Sequence, residues 1–163
     1  MKKTIALLLA LAMLLMCALS IAEEAVVDAT ASASVADYYG DFALTGEDLM
    51  NAINSYSGFY ALSTVNEDGT PNVAFFVYGC VEHEGSYYLQ LGLAPNQSSI
   101  NLERTGKAMA MYAAAPSGDY PYAVCGARME LSLVTDAELI AALNTNPDYA
   151  PYFCEIVELK PLG

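Results

Sequence analysis

Apolar and polar positions divide the chain into blocks of two different periods. From Thr45 the period is helical, with Leu49, Met50, Ile53 and Tyr56 on one face. Thr45 is the expected cap, Glu47 and Asp48 sit at the positive end, and Ser57 and Gly58 stop the helix. A strand-rich stretch follows. Phe59 to Val65 is short and apolar, and Asn66-Glu67-Asp68-Gly69 is a strong turn signal because Asp-Gly tolerates the positive φ of a tight hairpin. Residues 71–81 read as a second strand, His83-Glu84-Gly85 as a turn, and residues 86–93 as a third strand, so the three form a meander. Residues 94–97 break the pattern. Ser98 or Ser99 is then expected to cap a short helix through Ile100, Leu102 and Arg104, ended by Gly106. Residues 107–115 make a fourth strand, 116–119 a loop, and 122–135 a long fifth strand bent at Gly126. Asp136 caps a helix over 137–143, a helical turn follows over 147–153, and residues 154–159 close as a sixth strand. No internal repeat is visible.

The first 22 residues belong to none of these blocks. Lys2 and Lys3 precede an apolar run of about 15 residues, after which Ser20 and Ala22 are small residues three and one before Glu23. This predicts a cleavable secretory signal and a bacterial export route. The run is short of the roughly 20 residues of a spanning helix, so no stable membrane anchor is expected after cleavage. Cys17 would begin a lipoprotein, but Leu14, Leu15 and Met16 before it are larger than such a site accepts. The expected organisation is therefore a signal over 1–22, a flexible tether over 23–43 and one domain over 44–163. The expected location is secreted or extracytoplasmic.

Charge narrows the partners. The chain holds 6 basic and 19 acidic residues, and its net charge of −13 falls to about −15 once Lys2 and Lys3 are removed. Nucleic acid and anionic membrane surfaces both require basic patches, so neither is an expected partner. Cys80, Cys125 and Cys154 remain, an odd number at spacings of 45 and 29 that match no metal motif. Either one pair is bonded in an oxidising compartment or all three are buried thiols. His83 is the only histidine, which excludes a multi-histidine metal site and disfavours a Ser-His-Asp triad; between Glu82 and Glu84 it reads as part of a solvated turn.

The ordered set of elements resembles the flavin-binding split barrel of the pyridoxamine 5′-phosphate oxidase-like family. The likeness rests on Tyr60-Ala61-Leu62-Ser63-Thr64-Val65 with the turn to Pro71-Asn72-Val73, and on Tyr87-Tyr88-Leu89 leading to Asn101-Leu102 and Lys107-Ala108-Met109. It rests also on Gly126-Ala127-Arg128-Met129-Glu130 leading to Val134-Thr135-Asp136. The resemblance implies a mainly β, six-stranded split β-barrel with short flanking helices. It further implies a homodimer and noncovalent flavin mononucleotide (FMN) in a groove at the dimer interface. The residues it points to are Asn72, Val73, Ala74, Leu91, Gly92, Gln97, Ser98 and Ser99, although strand, turn and cap roles account for each one alone equally well. The implied activity is flavin-dependent oxidoreduction, with the isoalloxazine carrying hydride or electrons. The alternatives are a non-catalytic domain of the same fold holding haem or a deazaflavin, and a domain without ligand. The chain departs from the family where the phosphate is held: Ser98 stands at the usual lysine position and Asn72 at a position that is often Arg or His. No cation is left to give the phosphate its stronger, charge-assisted bonds. Lys107 and Arg128 are the basic groups near the strands, and the many tyrosines read mainly as strand and interface residues.

Overall fold

The computed structural model describes residues 40–115, 125–146 and 148–162. The expected signal and most of the tether lie outside them, as do the loop over 116–119 and the first residues of the fifth strand. The described residues all belong to the second of two units of the chain, Ser32–Gly163.

Helix α1 (Gly46–Asn54) starts where expected and buries Leu49 and Ile53, but Thr45 makes no side-chain cap bond. Strand β1 (Phe59–Val65) turns Tyr60, Leu62 and Thr64 inward and alternates them with more exposed residues, the signature of a half-buried strand. In the turn after it, Asp68 accepts hydrogen bonds from the Thr70 amide and hydroxyl, and Gly69 takes φ 83°. The expected second strand is two strands, β2 (Pro71–Ala74) and β3 (Gly79–His83), separated by residues 75–78. Strand β4 (Ser86–Leu91) follows a tight turn with Glu84 and Gly85 both at positive φ. Helix α2 (Gln97–Thr105), β5 (Lys107–Ala113), β6 (Gly126–Leu133), α3 (Ala137–Leu143) and β7 (Tyr152–Lys160) complete the order. Strand β7 begins at Tyr152, inside the segment expected to be a helical turn, because Tyr152 and Phe153 pair with Leu91 and Gln90 of β4.

The seven strands form one antiparallel sheet in the order β2-β1-β5-β6-β7-β4-β3. Its two end strands, β2 and β3, are consecutive in the chain and joined by residues 75–78. One interrupted strand therefore supplies both edges and closes the sheet on itself. Counting it once gives the six strands expected; the interruption lets the segment leave β1 and reach β4. A register shift between Glu130 and Leu131 bends the β6–β7 ladder.

The barrel interior is filled by Leu49, Ile53, Leu62, Leu89, Leu91, Leu102 and Met129, with three tyrosines among them. Burial of each such side chain stabilises the fold by roughly 1.5–3 kcal/mol. Tyr60 packs edge-on against Tyr78 and Tyr112, both at 5.1 Å. Their hydroxyls donate to the carbonyls of Ile53, Met111 and Ser57, so no buried hydroxyl is left without an acceptor. A smaller cluster of Tyr88, Leu143 and Phe153, with Leu139 and Ile140 of α3, covers the outer side of β3, β4 and β7. Residues 42–44, at the end of the expected tether, bond to the sheet: Leu44 N–H donates to Gly126 O at 2.9 Å, and Gly126 N–H to Phe42 O at 3.1 Å. Among the described residues no helix is long and apolar enough to cross a membrane.

Candidate functional site

Helix α2 is capped two residues earlier than expected. Asn96, not Ser98 or Ser99, is the N-cap: its Oδ1 accepts from the Ser99 amide at 3.1 Å, while Ser99 Oγ accepts from the Asn96 amide at 3.0 Å. The two residues form a reciprocal capping box, and Gly106 ends the helix in the left-handed region at φ 66°. With Ser99 so engaged, Ser98 turns inward and is 2% exposed.

Ser98 joins a network of uncharged side chains. Asn72 Nδ2 donates to Ser98 Oγ at 3.0 Å and lies 3.1 Å from Thr64 Oγ1. Asn101 Nδ2 donates to Thr64 Oγ1 at 3.1 Å and to Asn66 Oδ1 at 2.8 Å, and Gln97 Nε2 donates to Asn101 Oδ1 at 2.9 Å. Asn72, Gln97, Ser98 and Ser99, distant in sequence, are thus brought together where α2 docks on the β1–β2 hairpin. The network holds no cation. Arg104, further along α2, donates instead to the Val65 carbonyl. Among the described residues no buried polar side-chain atom lacks a partner. The cluster therefore offers a phosphate amides and hydroxyls that already bond to one another, and no charge-assisted bond.

The remaining residues singled out from the sequence take other positions. Val73 points outward and is exposed, Ala74 is half-buried, and Leu91 is fully buried in the core, where its side chain faces away from any surface ligand. Gly92 is exposed and lines a cavity of about 270 Å³ with Tyr56, Val77, Tyr78, Gly79, Gln90 and Tyr149. The Tyr149 hydroxyl lies so close to Gly92 that a Cβ there would come within 1.9 Å of it. Tyr149 carried no periodicity or motif that marked it; Tyr56 was expected on the apolar face of the first helix, but it lies past the end of α1, exposed and at φ 53°.

A larger groove of about 640 Å³ runs over the outer side of the sheet, lined by Lys107, Met109, Ser63, Glu130, Ser132 and Val157 among others. Lys160 pairs with Glu130 and with Glu158, the latter at 3.3 Å, and holds the Glu130 carboxyl below its usual range, chiefly through their hydrogen bond. Arg128 Nε donates to Pro161 O at 2.7 Å.

The cysteines settle as free thiols. Cys80 and Cys154 both pair with Leu89, one from each side. They stand two strand spacings apart, about 10 Å, beyond the reach of a disulfide. Burial pushes both thiols up to about 12. Cys125 is also free, so none of the three is paired. Among the described residues no three His, Cys, Asp or Glu side chains gather as a metal site.

No family model and no curated protein sequence matches the chain. Solved structures do. An FMN-binding protein from Syntrophomonas wolfei superposes over 80% of this chain and 90% of its own, with a TM-score of 0.51 and 15% identity. A putative pyridoxamine 5′-phosphate oxidase from Lactobacillus delbrueckii covers 72% of this chain and 89% of its own at a TM-score of 0.46 and 17% identity. The HupZ protein of Group A Streptococcus covers 72% and 90% at 0.47 and 15% identity. The topology, closed by one interrupted strand, and the first of these superpositions give the same answer: the chain has the fold of the FMN-binding split barrel.

Proposed function

We propose that this protein is an exported flavoprotein that holds FMN noncovalently, acts as an oxidoreductase and works as a homodimer. The observation that carries the reading is the split-barrel topology itself, shared with the Syntrophomonas wolfei FMN-binding protein. Asn72, Val73 and Ala74 of β2, Leu91 and Gly92 at the end of β4, and Gln97, Ser98 and Ser99 of α2 are the contacts in this reading. Leu91 contributes only its backbone. Gly92 contributes backbone beside Tyr149, whose hydroxyl takes the space a side chain there would fill, and Asn72 and Ser98 face the polar end of the ligand. Bound flavin would supply hydride or electron transfer, and the chain would supply placement and water exclusion. A single histidine and the lack of a paired-carboxylate motif accord with that division.

The dimer reading is supported by the outer side of β1 and β2. Phe59 of β1, Val73 of β2, and Phe75 and Val77 of the segment after it are 50%, 65%, 78% and 63% exposed, large apolar side chains of the kind that mark a partner site. Export rests on Lys2, Lys3, the apolar run and the small residues before Glu23. The deciding measurement is the absorption spectrum of protein purified from its native host. Flavin bands support the reading, a red haem spectrum replaces it with the binding-domain alternative, and a colourless protein that takes up no flavin overturns it. Intact mass should place the mature N-terminus at Glu23; a mass that retains residues 1–22 would remove the cleaved-signal part.

A further inference from the structure

We propose that the cavity rimmed by Tyr56 and Tyr149 takes a planar, uncharged heteroaromatic ring, and that binding is led by this ring and not by a phosphate. The inference rests on the flavin reading, in which the ring is the isoalloxazine. Every side chain that lines the cavity is uncharged, in a chain whose net charge is −13. A neutral ligand avoids the repulsion that an anion would meet there. Tyr56 and Tyr149 remain 65% and 44% exposed, so neither ring gains full burial from the fold. Tyr56 nevertheless sits at φ 53°, a conformation that a bulky residue adopts only where its surroundings impose it, and such residues concentrate at ligand sites. Tyr149 is held from behind: its carbonyl accepts from Asn144 Nδ2 at 2.8 Å and its amide donates to Asn146 O at 3.2 Å.

Two lining residues, Gly79 and Gly92, have no side chain, and a Cβ at Gly92 would collide with Tyr149. Gln90, paired across the ladder with Gly79, contributes an amide that both donates and accepts. That is the complement of a ring edge on which carbonyl and N–H alternate. Val77 and Tyr78 belong to the interrupted segment. Outside the ladders, none of the turn and loop backbone bonds among the described residues engages the peptide groups of residues 75–78. Peptide donors and acceptors are therefore available beside the two tyrosines. The Asn72–Ser98 cluster, which the flavin reading assigns to the phosphate, is closed on itself and holds no cation. Ring stacking and edge bonding are left as the main source of affinity.

The test titrates purified protein with lumiflavin, riboflavin and FMN, read by quenching of flavin fluorescence. The three dissociation constants should agree within about threefold, because the groups that distinguish these ligands lie outside the ring. Tyr149→Ala and Tyr56→Ala should each weaken all three by roughly tenfold, the scale of one lost stacking contact. Tyr149→Phe, which keeps the ring, should retain most of the affinity. Unchanged thermal unfolding of the variants would assign the losses to the site. FMN bound more than about tenfold tighter than lumiflavin, with the alanine variants unaffected, would overturn the inference and leave the flavin reading standing. Failure of all three to bind would overturn both.

Discussion

Asn101 shows how much a single side chain holds in place. It is fully buried, five residues past the helix cap Asn96, and its amide ties Thr64 of β1, Asn66 of the turn and Gln97 of α2. Asn101→Ala leaves the Gln97 amide without an acceptor and takes a donor from Thr64 and Asn66. It should lower stability by about 1–3 kcal/mol, measured by urea unfolding. Ser98→Ala should cost less, because Asn72 keeps Thr64 as its acceptor. The buried thiols and Tyr60 act in a different way. Burial raises Cys80 and Cys154 from 9.0 to about 12, and Tyr60 from 10.0 to about 12. Below about pH 9 these groups are protonated whether the chain is folded or not. Above it the unfolded chain releases protons that the folded chain retains, so stability should fall from about pH 9 towards pH 12, as each group passes from its unfolded to its folded value. Each thiol adds about 1.4 kcal/mol per pH unit to that slope. Urea midpoints across this range check it. Cys154→Val should flatten the slope, and an unchanged slope would show that Cys154 is not among its sources.

At the level of elements, local signals located most of the fold. The Asp-Gly turn marked the first hairpin, a short apolar run marked β1, and Asp136 marked α3, accepting from the Glu138 and Leu139 amides at 2.9 Å. Errors arose where tertiary structure decides. Residues 71–81 have the composition of one strand, and only the need to pair with β1 at one end and β4 at the other breaks them at 75–78. Residues 152 and 153 join β7 because β4 offers partners, which no local pattern announces. In the candidate site, Asn72, Gln97, Ser98 and Ser99 were legible through the resemblance, but the true cap, Asn96, was hidden among polar neighbours. Tyr56 was legible only as a residue of the helix face, which ends before it, and Tyr149 had no signal at all. Gly126, where a bend in the fifth strand was expected, is instead the first residue of β6 and a point of close backbone approach: a Cβ there would lie 2.0 Å from the Tyr112 carbonyl, and Phe42 and Leu44 both bond to its backbone. Gly126→Ala should lower stability by on the order of 3–5 kcal/mol, because backbone must move. A thermal midpoint close to that of the wild type would contradict the close approach.

The molecule as a whole has one side of its sheet covered by α3 and another bare. If the bare side is the dimer surface, Phe75→Glu, at the most exposed of its aromatic positions, should convert dimer to monomer in light scattering at micromolar concentration. The fold should survive, since the side chain is not part of the core, while the dimer should weaken by on the order of 2 kcal/mol or more. A wild-type monomer would remove the basis of that prediction. The sheet order carries a further consequence for how the chain is made. Strand β7 stands between β6 and β4 and is the last of the seven to leave the ribosome. Until it arrives, the β3–β4 hairpin has no strand beyond β4, and the other strands reach it only through the covalent link at 75–78. The barrel cannot shut early. Each emerging chain stays open between β6 and β4 until synthesis reaches residues 152–160, and under the export proposed above that delay keeps the chain from closing before it crosses a membrane channel.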